Sequence, residues 1–145
     1  MKEQSGRSLI EIIGVLAIGT VMIVAAYRVY NNIDNRQKRM IASDTLEDVA
    51  KKTKLLYGMA ESYPADLSVD KLFDDGALSN KQTPIGSGWT VSRDLSKIKF
   101  NIAVSGLSYD ECEYFKLKKT DWATVSSNPS TCTKNKTHTV TFTVQ

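Results

Sequence analysis

The stretch from Gly6 to Tyr30, GRSLIEIIGVLAIGTVMIVAAYRVY, decides how this chain is organised. Between Leu9 and Tyr27 the only charged residue is Glu11. At about 1.5 Å of rise per helical residue, this run is just long enough to cross the ~30 Å hydrocarbon layer of a bilayer. The sequence therefore predicts a membrane-spanning helix near the N-terminus. Because a carboxylate inside such a helix is costly, Glu11 is a candidate functional residue.

A short polar leader, residues 1–6, precedes this helix and ends in Gly6, which is followed by Arg7. This N-terminus resembles that of type IV pilins and type II secretion pseudopilins in the order of its parts. These are a leader ending in glycine, the hydrophobic pair Leu9-Ile10, Glu11 and an apolar helix. That resemblance implies that a prepilin peptidase cleaves between Gly6 and Arg7. Glu11 would then be the fifth residue of the mature chain.

An ordinary signal anchor or a secretory signal peptide is the alternative interpretation of this N-terminus. A secretory signal has a basic first region, a shorter apolar core and a small-residue cleavage site. Here the helical pattern continues after Ala25-Ala26 into residues 27–30, which disfavours that alternative. Two residues depart from the pilin pattern. Arg7 stands where the family most often has an aromatic residue or methionine, and Arg28 stands where many pilins have a helix-kinking proline.

Length and composition limit the rest of the chain to one small domain. Of its 145 residues, 41% are hydrophobic and 24% are charged, which suffices for a single core beyond the span. The predicted organisation is a leader at 1–6, a transmembrane or filament-core half-helix at 7–30, its exported half at 31–63, and a globular α+β head at 64–145. The net charge of +3 is spread along the chain, so nucleic-acid binding is not implied.

The exported half of the helix has two apolar sides. Residues 31–63 contain no proline and one glycine, and their apolar residues recur at helical spacing. One side carries Leu46, Val49, Leu56 and Ala60, and another carries Ile33, Met40, Leu55 and Met59. One side suits the head of the same chain, and the other suits helices of adjacent subunits. Pro64 is expected to end the helix.

The head itself shows alternating helix and strand signals. Ser68 and Gly76 bound a predicted short helix, and Ser108 with Glu111 forms a capping box that starts another helix at Tyr109. Predicted strands are Trp89–Arg93, Lys97–Val104 and Thr139–Val144, and the segment around Asn128-Pro129 is predicted to be a loop. This order is similar to pilin heads, in which a small antiparallel sheet lies on the spine helix and a disulfide encloses a C-terminal segment.

Few residues suggest chemistry. Cys112 and Cys132 lie in the part that would be exported, where an oxidising compartment favours a disulfide. A nucleophilic pair of Cys112 with His138, the only histidine, would need a free thiolate that this disulfide removes. Two cysteines and one histidine cannot complete a tetrahedral zinc site. We therefore expect no enzyme activity, no catalytic residue, no metal and no cofactor.

The function implied by the resemblance is structural. Before assembly, the chain is expected to be anchored in the bacterial inner membrane. After its leader is cleaved, it is expected to polymerise through its N-terminal helix into a periplasmic or extracellular filament. Its expected partners are the inner membrane, a prepilin peptidase, copies of itself or other pilins, and pilus assembly or secretion machinery. In the filament core, Glu11 is expected to pair with the new α-amine of Arg7 on a neighbour. The alternatives are a pseudopilin of a type II secretion system, or a single-pass membrane-anchored exported binding module.

Overall fold

A computed structural model describes the backbone of residues 3–118 and 120–145, and the side chains from Ser8 onward within those ranges. The helices and strands are, in order, α1 Glu3–Tyr57, α2 Val69–Asp74, β1 Gly88–Arg93, β2 Phe100–Leu107, α3 Tyr109–Leu117, β3 Ala123–Asn128 and β4 His138–Val144. The chain divides into two compact units, Met1–Gln37 and Lys38–Gln145.

The first unit is the N-terminal part of α1. By length and composition, α1 contains one segment apolar enough to cross a membrane, with a mean hydropathy of 2.5 over its most apolar window. None of the residues in that window is buried. The predicted membrane-span candidate is therefore confirmed.

The second unit, which we call the head, is a four-stranded antiparallel sheet covered on one face by helices. The strand order is β1-β2-β4-β3. Residues 38–57 of α1 contribute Ala42, Leu46, Val49 and Ala50 to one continuous hydrophobic core with the inward residues of the sheet. α2 and α3 contribute Leu72 and Phe115 to the same core. This confirms the α+β prediction of a spine helix on a small antiparallel sheet.

Both predicted caps of the head helices are confirmed. The Oγ of Ser68 accepts a hydrogen bond from the backbone N–H of Lys71 at 3.2 Å, and Gly76 follows α2 with a φ of +79°. At the start of α3, the N–H of Ser108 donates to Oε2 of Glu111 at 2.7 Å, while the N–H of Glu111 donates to Oγ of Ser108 at 3.5 Å. These contacts satisfy helix N–H groups that have no partner within the helix.

The spine helix ends earlier than expected. α1 ends at Tyr57, whereas the sequence predicted a helix through residue 63. The cause is Gly58, whose N–H donates to the carbonyl of Lys54 at 2.7 Å and where a Cβ would lie only 2.3 Å from that oxygen. The chain leaves the helix at this glycine, before Pro64. Leu56, in the last turn, is 46% exposed rather than buried.

The second strand is shifted along the chain. β2 runs from Phe100 to Leu107, not from Lys97 to Val104. Lys97 has a φ of +65° in a turn in which its N–H donates to the carbonyl of Asp94 at 3.0 Å. Ile98, predicted to share a face with Phe100, is therefore outside the strand and 63% exposed.

The segment predicted as a loop contains a strand. β3 pairs antiparallel with β4 along its whole length, from Ala123 opposite Val144 to Asn128 opposite Thr139. Its one large aliphatic residue, Val125, points inward beside Phe142 in the register. So short and polar a strand gives a weak signal in the sequence, because its stability comes from pairing with β4 and not from its own composition.

Candidate functional site on the N-terminal helix

Glu11 is the single charge on the apolar part of α1. Ser8 and Val15, one helical turn before and after it, lie on the same side of the helix. Together with Ile12 and Leu16 they border the surface around its side chain. Among the side chains that the structure describes, no cation forms an ion pair with the Glu11 carboxylate. Its partner must come from outside these side chains if the carboxylate is to be neutralised in an apolar medium.

The surface around Glu11 is uncovered. Large apolar side chains from Leu9 to Tyr30 are between 53% exposed, at Val24, and 72% exposed, at Ile10. A contiguous apolar surface of this extent is not left in water by soluble monomers. Lipid or another protein must cover it.

Thr20 is the other polar residue in the middle of the span, and its hydroxyl is hydrogen-bonded within α1. Its Oγ1 donates to the carbonyl of Ala17 at 2.8 Å. The helix thereby satisfies this hydroxyl within itself, as threonine side chains in apolar helices commonly do. A carboxylate has no hydrogen to donate to a helix carbonyl, so Glu11 cannot be accommodated in the same way.

The predicted cleavage site is only partly described. Gly6 and Arg7 belong to the backbone of α1, but their side chains lie outside the described residues. The expected pairing of Glu11 with the α-amine of Arg7 joins two copies of the mature chain, so a single precursor chain does not test it.

The predicted disulfide is present in the head. Cys112 and Cys132 are bonded, with a Cα–Cα distance of 6.0 Å and a sequence separation of 20. The bond ties the first turns of α3 to the segment that follows β3. Neither sulfur is therefore a free thiolate, which removes the nucleophile from the Cys112–His138 pair.

His138 instead has a structural position. It is 1% exposed at the start of β4. Its Nε2 accepts a hydrogen bond from the N–H of Thr133 at 3.1 Å and lies 2.9 Å from the carbonyl oxygen of the same residue. The imidazole thus holds the chain just after Cys132 against the beginning of β4.

Asp66 and Asp94 of the head accept local hydrogen bonds. Within the described part of the chain, no group of three or more His, Cys, Asp or Glu side chains could hold a metal ion. Asp66 pairs with Lys71 at 3.2 Å, and the hydrogen bond from that lysine holds the pKa of Asp66 below its usual value. Hydrogen bonds from Ser96 and Asn101 similarly lower the pKa of Asp94, which lies in the β1–β2 turn.

Two contacts that the sequence did not predict join α1 to the other head helices. The phenol of Tyr57 donates to a carboxylate oxygen of Asp75, next to α2, and burial with this bond raises the pKa of Tyr57 to about 12. At the other helix, Nζ of Lys118 donates to Oγ of Ser43 at 2.7 Å. Long-range pairs of this kind have no signal in local spacing.

Comparison with family models, with curated proteins and with solved structures gave no match to this chain. Within the described residues, the fold and the site define a protein with one candidate membrane-spanning helix and a disulfide-bonded α+β head.

Proposed function

We propose that this chain is a pilin-like structural subunit. It is held in the bacterial inner membrane by α1, is cleaved after Gly6 by a prepilin peptidase, and polymerises through α1 into a filament. The observation that carries the proposal is Glu11, a lone carboxylate on an otherwise apolar and uncovered stretch of helix.

Charge pairing gives Glu11 a role in assembly. Cleavage after Gly6 would create an α-amine on Arg7, one helical turn before Glu11. In a bundle of staggered α1 helices, the amine of one copy neutralises the carboxylate of the next. Two opposite charges ~4 Å apart at an effective dielectric constant near 20 attract by about 4 kcal/mol, and desolvation offsets part of this. The pair therefore favours the correct register more than it adds affinity.

The exported part of α1 supports the same proposal. Its side facing the sheet is filled by the core of the head, yet Met40 and Leu55 on another side are 58% and 81% exposed. Helices of adjacent copies in a filament would cover these side chains. The head uses only one of the two apolar sides that the sequence predicts.

The test compares two glutamate variants. Wild type, Glu11→Ala and Glu61→Ala are each expressed in a bacterium that carries a prepilin peptidase and a pilus assembly machine. Glu61 is an exposed glutamate beyond the end of α1, so it is a chemically matched control. Membrane insertion is measured by resistance to alkaline extraction, the mature N-terminus by mass spectrometry, and filaments by electron microscopy.

We expect all three proteins to insert into the membrane and the Glu61→Ala protein to form filaments like wild type. Glu11→Ala should form none, because a copy lacking the carboxylate leaves the α-amine of its neighbour unpaired in the filament core. Wild-type numbers of filaments from Glu11→Ala would overturn the charge-pairing mechanism.

A single-pass membrane-anchored binding module is the second candidate. The observation in its favour is that every residue of the hydrophobic core lies between Ala42 and Val144, so the head needs no neighbour to complete its core. Such a module would stay full-length in the membrane and form no filaments even as wild type. A pseudopilin of a type II secretion system would be cleaved at Gly6, and its deletion would abolish secretion while leaving surface pili intact.

A further inference from the structure

We propose that one side of α1, just beyond the candidate membrane span, binds the phosphate of an anionic phospholipid. The residues that form it are Arg28, Asn32, Asn35 and Arg36, which we call the arginine face. All four are exposed, and all belong to the first compact unit. The inference rests on the membrane insertion included in the proposed function, and it requires neither cleavage nor polymerisation.

Helical spacing places these four residues on one side of α1. They stand at positions i, i+4, i+7 and i+8 of a continuous helix, so at 3.6 residues per turn they fall within an arc of about 100°. The one acidic residue between positions 28 and 37 is Asp34, which this spacing places on the opposite side. The arginine face is therefore a cationic surface whose side chains all donate hydrogen bonds.

The two guanidinium groups are not used within the chain. Among the side chains that the structure describes, none forms an ion pair or a hydrogen bond with Arg28 or Arg36. Lysines of the head differ in this respect, because Lys51 lies 2.7 Å from a carboxylate oxygen of Glu47 and Lys71 lies 3.2 Å from one of Asp66. Arginine pairs with phosphate through two parallel N–H groups, so both arginines are free to bind an external phosphate.

The interface of the bilayer lies next to the arginine face. The apolar run ends at Tyr27, and Tyr27 and Tyr30 are both exposed. Tyrosine is enriched at the membrane–water interface, where the lipid head groups form a layer roughly 5–8 Å thick in each leaflet. At about 1.5 Å per residue, Arg28 lies inside this layer and the Cα of Arg36 lies about 14 Å beyond Tyr27. Because Cα–Cβ bonds tilt towards the N-terminus of a helix, the side chain of Arg36 extends back towards the head groups.

The span also offers a surface for the acyl chains of the same lipid. Val21 and Val24 precede Arg28 by seven and four residues, so they lie on the same side of α1. Their side chains are exposed. A phospholipid whose phosphate binds Arg28 can therefore place its acyl chains against these valines. This combination of a cationic surface with an adjoining apolar one matches an anionic phospholipid better than a water-soluble anion, which would use only the arginines.

The experiment measures lipid binding to the full-length precursor in non-ionic detergent micelles. The protein is titrated with phosphatidylglycerol or with phosphatidylcholine of the same acyl chains, each with and without excess inorganic phosphate. Native mass spectrometry counts the lipids, the phosphate ions and the copies of the chain in each complex. Resistance to alkaline extraction confirms beforehand that each variant inserts into membranes, and a non-reducing gel confirms that it forms the disulfide.

Two double variants test the charge of the arginine face. Arg28→Gln/Arg36→Gln removes both guanidinium groups, whereas Lys97→Gln/Lys136→Gln removes the same charge from exposed positions of the head. We expect wild type and the lysine variant to prefer phosphatidylglycerol to phosphatidylcholine. The arginine variant should bind phosphatidylglycerol about 30-fold more weakly than wild type, since each basic residue near an anionic surface contributes about five-fold.

Two single variants test the position of the site. Asn32→Asp adds a negative charge to the arginine face, and Gln37→Glu adds the same charge elsewhere on the exposed surface of α1. By helical spacing, Gln37 lies more than a quarter turn outside the arc of the arginine face. We expect Asn32→Asp to weaken the binding of phosphatidylglycerol and Gln37→Glu to leave it close to that of wild type.

Equal binding of the two lipids by wild type would overturn the proposal, as would equal losses in the arginine and lysine variants. Displacement of the lipid by inorganic phosphate would instead assign the arginine face to soluble anions. Dimers that form in wild type and are lost in Arg28→Gln/Arg36→Gln would assign it to a second copy of the chain. Failure of wild type to insert into membranes would also refute the proposed function, whereas insertion without a preference for phosphatidylglycerol refutes this inference alone.

Discussion

The Nζ of Lys118 lies 2.7 Å from the Oγ of Ser43 and donates a hydrogen bond to it, which joins the end of α3 to the spine helix 75 residues earlier. Ser43 is 3% exposed, so its hydroxyl has little access to water. The same ammonium group lies 5.8 Å from the ring centroid of Tyr114. One lysine thus connects two helices that also share the core with the sheet.

We expect Lys118→Met to destabilise the head by about 1 kcal/mol, the usual net contribution of a partly buried hydrogen bond. For a domain of this size, that loss lowers Tm by about 5 °C. The measurement is thermal unfolding followed by circular dichroism. Lys136→Met, which removes an exposed lysine from the turn before β4, is the control and should leave Tm unchanged. Equal Tm values for the two variants would show that the Lys118–Ser43 bond contributes nothing.

Removing the disulfide should loosen one particular segment. The chain-entropy model assigns roughly 3 kcal/mol to a closed loop of this size, a large share of the ~5–15 kcal/mol available to a small domain. We therefore expect Cys132→Ser to lower Tm by roughly 10–20 °C. Cys112→Ser should lower Tm by a similar amount, because either substitution removes the same disulfide.

Hydrogen exchange on the Cys132→Ser protein should locate the loosening. Because β3 pairs with β4 over Ala123–Asn128, its amides should stay protected. Residues 129–137, which lie outside the strands, should lose protection first. Loss of protection across β3 as well would mean that the disulfide, and not the strand pairing, holds β3 to the sheet.

The β1–β2 turn should make stability depend on acid pH through Asp94. Its carboxylate accepts hydrogen bonds from the N–H and hydroxyl of Ser96 at 3.2 and 2.8 Å, and these lower its pKa in the folded state. A lowered folded pKa contributes stability that is present above the unfolded value, about pH 4, and is lost as the pH falls through the folded pKa.

Asp94→Asn should accordingly be less stable than wild type at pH 6, and the difference in Tm should shrink below about pH 4. The measurement is Tm against pH for wild type, Asp94→Asn and the control Asp44→Asn, which changes an exposed aspartate on α1. A difference between wild type and Asp94→Asn that is constant with pH would show that the aspartate is not held in its charged form by the turn.

Maturation gives a prediction at the start of the chain. A residue larger than glycine at position 6 should crowd the pocket of a prepilin peptidase, so Gly6→Val should accumulate as a full-length precursor in the inner membrane. Intact-mass measurement of the membrane fraction distinguishes this precursor from a chain that begins at Arg7. Normal processing of Gly6→Val would count against prepilin cleavage and favour an uncleaved anchor, provided that wild type is processed in the same strain.

Local signals in the sequence were sufficient to predict where the helices of the head begin and where the apolar part of α1 lies. The apolar run from Leu9 to Tyr27, with its single charge at Glu11, is one continuous stretch of sequence. The cap at Ser68 and the capping box of Ser108 with Glu111 involve residues within a few positions of one another, so local spacing alone predicts them. The exception is the end of α1, where Gly58 stops the helix before Pro64. A single glycine inside a helical pattern is tolerated or terminates the helix according to its surroundings, which spacing does not reveal.

The sheet depended on the tertiary structure. β3 is short and polar, and it is a strand because β4 pairs with it. Likewise, Thr90, Thr141 and Ser126 are far apart in the sequence, and only the register of three strand pairs places them in one uncharged row. The sequence by itself determined a candidate membrane span with one carboxylate, and a head whose cysteines can pair. Which side chains share a surface was decided by strand pairing, because hydrogen bonds between distant strands set a register that no local pattern contains.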